Sequence, residues 1–201
     1  VKEALLCVDL QNDFYEYGAL PVEGASEINE KINQLLKNNR YVTVVASQDW
    51  HPQNHLSFAS NHREDPFTPY EGEKKGLGPL LWPDHCVQNS FGADFHPDIY
   101  TEKFDLIIRK GQLTEVDSYS AFHDNDGRDL GLAEYLKALA VEKIVVVGLA
   151  LDVCVYYTVL DALKHGFSVE LIREASKGVE AQPGDVDRAC QDMKDKGAII
   201  I

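Results

Sequence analysis

Three residues far apart in the chain, Asp9, Lys110 and Cys154, carry the groups that an acyl transfer needs: a carboxylate, an ammonium and a thiol. A thiolate attacks a carbonyl carbon, and a nearby ammonium or a helix N-terminus favours the thiolate. A carboxylate can take the thiol proton and pass it to a leaving amine. Backbone N–H groups near a helix start can hold the oxyanion. Each residue alone has an ordinary reading, as a small buried hydrophobe, a turn former and a solvated cation. A second group is Asp49-Trp50-His51, followed by His55 and later by Trp82-Pro83-Asp84-His85-Cys86. Asp and His two apart on a loop can share one ion, and His85 can return as a third ligand. Two imidazoles and a carboxylate with open positions suit zinc, iron or manganese. Cys86 and His55 remain open as further ligands. His62, His96, His123 and His165 have no evident partner and read as surface or core.

These residues gain weight from the elements that must position them. Leu5 to Leu10 is an apolar run that delivers Asp9 and enters the polar turn Gln11-Asn12-Asp13. Ser26 is placed to cap a helix with Ile28, Ile32, Leu35 and Leu36 on one face. Tyr41 to Ala46 reads as a second strand, ahead of Asp49 and His51. Leu106-Ile107-Ile108 is a third strand and delivers Lys110. Leu132, Tyr135, Leu136 and Leu139 mark a helix. Lys143 to Gly148 is the clearest strand, leading through Leu149-Ala150-Leu151-Asp152-Val153 to Cys154 at a helix start. That helix carries Val155, Val159, Ala162 and Leu163 and closes at His165-Gly166. Ser168 to Ile172, a helix through Val186, Ala189, Cys190 and Met193, and a strand from Ala198 to Ile201 complete the chain.

Strands that are continuous apolar runs, alternating with helices, belong to a parallel sheet covered on both faces. The expected fold is a single doubly wound α/β domain over residues 1–201, with a mostly parallel sheet of about six strands. Ligands of such sheets bind beyond the carboxyl ends of the strands, where Asp9, Asp49, Lys110 and Cys154 all fall. The segment from about 48 to 104 lacks periodicity and holds both tryptophans and five of the seven histidines. It reads as a site-building loop.

The formal charge of −14 argues against nucleic acid and against an anionic membrane as partners. No run of about 18 apolar residues suggests a membrane span. No signal-peptide pattern opens the chain. Four cysteines without a CxxC pair read as free thiols in a reducing compartment, the cytoplasm. No GxGxxG follows the first strand, which disfavours a dinucleotide cofactor.

The motifs Val8-Asp9-Leu10-Gln11-Asn12-Asp13-Phe14, Ser47-Gln48-Asp49-Trp50-His51-Pro52 and Trp82-Pro83-Asp84-His85-Cys86-Val87 occur in order. They are followed by Arg109-Lys110-Gly111, Asp117-Ser118-Tyr119-Ser120-Ala121-Phe122 and Val147-Gly148-Leu149-Ala150-Leu151-Asp152-Val153-Cys154-Val155. Together they resemble the nicotinamidases (pyrazinamidases) of the isochorismatase-like cysteine hydrolase superfamily. The resemblance implies the isochorismatase-like hydrolase fold and an Asp9–Lys110–Cys154 triad. It implies one divalent metal on Asp49, His51 and His85, zinc first and iron or manganese as alternatives. A cis peptide before Ala150 is implied, with an oxyanion hole from the N–H groups of Ala150 and Cys154. Phe14 and Trp82, with Tyr119, would sandwich the ring of nicotinamide, which is hydrolysed in NAD salvage through a Cys thioester. The implied partner is that small molecule, with a homo-oligomer as a further option. The alternative within the superfamily is an amidase acting on a carbamoyl or ureido substrate. One departure is Leu151, where many relatives carry Thr.

Overall fold

In the computed structural model, which describes residues 1–201, β1 (Glu3–Val8) lies at the centre of a six-stranded, all-parallel sheet. Ala4 to Val8 are buried on both sides, as a strand paired with two neighbours and covered on both faces must be. β1 pairs with β2 (Tyr41–Asp49) on one side and with β4 (Lys143–Leu149) on the other. β3 (Leu106–Lys110) forms one edge beyond β2; β5 (Ser168–Lys177) and then β6 (Ile199–Ile200) extend the other side. The chain moves outward from β1 to β3 and then crosses to β4. The junction of β1 and β4 is therefore a topological switch point, where a crevice opens beyond the strand ends. Gly148 keeps these two strands close: with φ of +122°, a Cβ there would stand 2.2 Å from the Val8 carbonyl oxygen.

The helices are α1 (Asn29–Leu36), α2 (Leu132–Ala138), α3 (Tyr156–Lys164) and α4 (Asp185–Asp195). The expected elements all occur, several with different ends. β2 runs on to Asp49 and β5 to Lys177, because β5 regains pairing with β4 after a register shift, Gly148 opposite Ser176 and Leu149 opposite Lys177. Ser26 does not cap a helix. It lies inside a 3-10 turn, Ala25–Ile28, and its hydroxyl and N–H both donate to Glu16 Oε1, at 2.8 and 3.0 Å.

Between β2 and β3 the chain contains only short 3-10 turns and isolated bridges such as His51–Val87 and Phe58–Trp82. All four cysteines are free thiols. No helix is long and apolar enough to cross a membrane.

Candidate active site

The strand ends bring Asp9, Lys110 and Cys154 together in the interior. Asp9 and Lys110 are fully buried and Cys154 is 7% exposed. Lys110 Nζ lies 2.9 Å from Asp9 Oδ2 and donates to Cys154 Sγ at 3.5 Å and to the Ser118 carbonyl at 3.0 Å. Ser47 sorts the two oxygens of Asp9: its hydroxyl donates to Oδ1 at 2.6 Å and accepts the Asp9 N–H at 3.2 Å. Oδ2, although close to Lys110, has no well-aligned donor. Sequence reasoning passed over Ser47, which lay inside the Ser47-to-Pro52 motif.

Lys110 reaches further than expected. It also donates to Asp49 Oδ1 at 2.7 Å, because Asp49 and Lys110 are register partners at the ends of β2 and β3. Its ammonium thus joins the thiol side of the site to the carboxylate expected to bind metal. Burial works against that charge, but Asp49 and Asp9 hold Lys110 well above the usual lysine range.

The thiol is not a ready-made thiolate. Burial pushes Cys154 well up; Lys110 pulls it down, while Asp9 and Asp49 push it up again. Cys154 also sits in a wide π-type turn, Leu151–Val155, ahead of α3, rather than at that helix's first residue. Burial, with a smaller push from Asp49, raises Asp9 despite Lys110. The resting arrangement is a protonated thiol beside a carboxylate of increased basicity. The peptide between Leu149 and Ala150 is cis. The Ala150 carbonyl accepts from the Val153 and Val155 N–H groups, both at 3.1 Å, while the Ala150 N–H makes no hydrogen bond within the chain.

The second group also converges. His51 Nε2 is 3.2 Å and His85 Nε2 3.5 Å from Asp49 Oδ2. His51 Nδ1 lies 2.9 Å from the Gly111 carbonyl, and His85 Nδ1 2.7 Å from the Pro83 carbonyl. A carbonyl only accepts, so both Nδ1 atoms carry hydrogen, and in a neutral ring each Nε2 presents a lone pair. Two lone pairs facing a carboxylate oxygen form a donor set that suits a cation between them. Ligands about 2.1 Å from one ion stand roughly 3.0–3.4 Å apart, close to the spacing found. Gly111 is required beside this site, since a Cβ at its φ of +67° would meet the His51 ring at 2.4 Å.

His55 and Cys86 do not join that set. His55 Nε2 donates to the Val116 carbonyl at 3.0 Å, and Nδ1 accepts from the Ser57 N–H at 3.1 Å. Burial and neighbouring His51 lower its pKa to about 4, so it packs beside His51 as a neutral ring. The Cys86 N–H donates to Asp13 Oδ2 at 2.7 Å, and burial pushes its thiol well up. All four histidines read as partnerless have partners: His96 stacks on Tyr15, and His123 pairs with Asp161 and stacks on His165. His62 Nε2 lies 2.8 Å from the Leu56 carbonyl.

Cys154, Asp49 and His85 open onto one narrow pocket with apolar walls from Phe14, Leu20, Val153 and Val179. Trp82 and Tyr119 also line it, the Trp82 indole donating to the Tyr119 hydroxyl at 3.2 Å, which donates to the Gly78 carbonyl at 3.0 Å. Leu20 and Val179 carried no signal in the sequence. A wider hollow of about 560 Å³ lies beyond Tyr119, lined by His123, Asp124 and Asp161, but no thiol lines it and none of Asp9, Asp49, His51 and His85 does.

The profile of the isochorismatase domain matches residues 3–201. The chain belongs to the isochorismatase family. Within it, the nicotinamidase of Escherichia coli (strain K12) is 45% identical over 200 residues, 98% of this chain and 93% of that protein. The structure of PnC1 from L. infantum in complex with nicotinate superposes with a TM-score of 0.87 at 34% identity, covering 100% of this chain and 92% of the other. The pyrazinamidase of Pyrococcus horikoshii in complex with zinc gives 0.81 at 38% identity, covering 100% and 99%. An isochorismatase-family member with a buried thiol, carboxylate and ammonium at one sheet edge has the parts for C–N bond hydrolysis.

Proposed function

We propose that this chain is a nicotinamidase, hydrolysing nicotinamide to nicotinate and ammonia in NAD salvage. The observation that carries the reading is a single aromatic-walled pocket with the Cys154 thiol and the Asp49–His85 pair both in its lining. Nearly full-length similarity to the E. coli enzyme and the nicotinate held by the L. infantum protein support it.

The chain's own residues account for the steps. Asp9 Oδ2, the oxygen left open by Ser47, takes the thiol proton as sulfur attacks the carboxamide carbon. Lys110 stabilises the sulfur anion and the Asp9 carboxylate as charge moves between them. The N–H groups of Ala150 and Cys154 stabilise the oxyanion. Asp9 returns the proton to the departing nitrogen, the C–N bond breaks and a thioester remains. Water then attacks the thioester with Asp9 as base, the C–S bond breaks, nicotinate leaves and the thiol regains its proton. Phe14 and Trp82 sandwich the ring, with Tyr119 beside them. Asp49, His51 and His85 would hold one divalent ion, zinc by the donor set and by the zinc-bound relative, which supplies a Lewis acid for the ring nitrogen. Free thiols, one of them reactive, fit the cytoplasm.

A comparison of kcat/KM for nicotinamide, pyrazinamide and benzamide, measured by ammonia release with and without a chelator, tests this reading. Nicotinamide and pyrazinamide should far exceed benzamide, which lacks a ring nitrogen, and chelation should shrink the difference. Equal rates on nicotinamide and benzamide in the metal-loaded enzyme would overturn the ring-nitrogen contact and favour a carbamoyl or ureido substrate.

A further inference from the structure

Asp117 is a buried carboxylate to which the steps above assign no task. It is 3% exposed and lines the same pocket as Cys154, Asp49 and His85. Its backbone is held from both sides: its N–H donates to the Gly76 carbonyl at 2.9 Å, and its carbonyl accepts from Asn125 at 2.8 Å. Oδ1 accepts the Ser118 N–H at 2.8 Å, and the other oxygen receives no hydrogen bond from the chain. That oxygen is not sealed in the interior, so on this pocket-lining residue it is free to accept from a donor outside the chain.

Neighbouring groups identify that donor. A carboxylate oxygen of Asp117 and ring nitrogens of His51 and His55 all lie within 4.8 Å of one another. This trio is not a second metal site, because both nitrogens of His55 are engaged, by Ser57 and Val116, and His51 Nε2 faces Asp49. Nor does Asp117 share the tight grouping of Asp49, His51 and His85, so it does not ligate an ion centred on them directly. The buried charges point the same way. Asp9 and Asp49 pair with the ammonium of Lys110, while the buried Asp117 has no cationic side chain within ion-pair distance.

We infer that Asp117 is the outer carboxylate of the metal site: its free oxygen accepts a hydrogen bond from a water on the ion's open side. A water on a divalent ion is a strengthened donor, and a carboxylate is a pure acceptor. Asp117 thus acts as a positioning residue that tightens the ion without touching it. The inference rests on the metal site proposed above.

Zinc affinity of the metal-stripped full chain, measured by competition with a chromophoric chelator, tests it, together with the visible absorption spectrum of the cobalt-loaded protein. Asp117→Asn keeps the shape and removes the charge. It should weaken zinc binding by about 10- to 100-fold and shift the cobalt bands, as outer partners of metal ligands do. Asp117→Glu, which keeps the charge, should lie closer to wild type. Wild-type affinity and an unchanged cobalt spectrum in Asp117→Asn would overturn the inference. So would equal losses in Asn and Glu, which would mark a structural role, or a raised KM for nicotinamide at unchanged zinc affinity, which would assign the carboxylate to the substrate. His85→Ala separates the two levels. If it binds zinc as wild type does, the metal site itself is wrong and the inference falls with it. If it loses zinc while Asp117→Asn does not, only the role of Asp117 falls.

Discussion

The strand ends and the β2–β3 loop build the two halves of this pocket by different means. Asp9, Lys110 and the turn before Cys154 are set by strands whose neighbours fix their register. His51 and His85 sit on irregular backbone and are held by individual bonds, His51 to Gly111 and His85 to Pro83. The first half keeps its charges dry and mutually opposed; the second collects a carboxylate and two imidazoles that could hold a metal ion. Lys110 belongs to both, through Cys154 and Asp9 on one side and Asp49 on the other. A parallel sheet can therefore deliver a proton-transfer group, while the adjoining loop supplies a Lewis-acid site that only chain-specific contacts can assemble.

The division is broken most severely by Cys154→Ala. Turnover should fall by at least about 10⁴-fold, the scale of losing a nucleophile, while zinc affinity stays near wild type. Near-normal turnover would remove the thiol half from the reaction. His85→Ala is the converse: zinc affinity should fall by more than about 100-fold, exceeding changes to outer partners, while Cys154 remains open to alkylation. Retained zinc together with loss in His55→Ala would mean that the third ligand is His55.

Lys110→Met sharpens the comparison where the halves meet. The ammonium lowers the thiol pKa, so its removal should move the alkylation of Cys154 to higher pH. Asp49 Oδ2 and both imidazoles remain, so the protein should keep about one ion per chain, held more tightly once the neighbouring cation is gone. Loss of the ion would show instead that Lys110 orients Asp49, and an unshifted alkylation profile would remove Lys110 from the thiol half.

The smallest effect concerns His55. Its pKa is about 4 in the folded chain and about 6.5 when unfolded, so the unfolded state binds the proton first. Its contribution is fully present above pH 6.5 and is lost as the pH falls toward 4, a change of roughly 3 kcal/mol. Denaturant titrations of the metal-free protein across that window should show the slope, and His55→Gln should flatten it. An unchanged slope in the variant would assign the acid sensitivity elsewhere.

What could be read in advance follows the same division. Ile144 to Val147 and Leu5 to Val8 announced buried parallel strands because both faces of each are apolar, and the sheet then placed Asp9, Lys110 and Cys154 at one edge. The loop has no such period. Gln11 Nε2 ties the carbonyls of Asp49 and Ala93, contacts spanning 38 and 82 residues that leave no local pattern. Val179 reaches the pocket because its N–H and that of Glu180 are bound by the Asp152 carboxylate, each at 2.8 Å. The Lys110–Asp49 contact depends on the register of β2 against β3, which composition does not encode. The balance of burial against Lys110 at the thiol likewise requires coordinates.

The central claim, that Cys154 carries the acyl group, is tested most directly by rapid acid quench of the enzyme during turnover of nicotinamide, followed by peptide mass spectrometry. One nicotinoyl group should be found on the peptide containing Cys154 and none on those containing Cys7, Cys86 or Cys190. An enzyme that turns over nicotinamide with no acyl group on Cys154, and whose Cys154→Ala variant retains activity, would contradict the account.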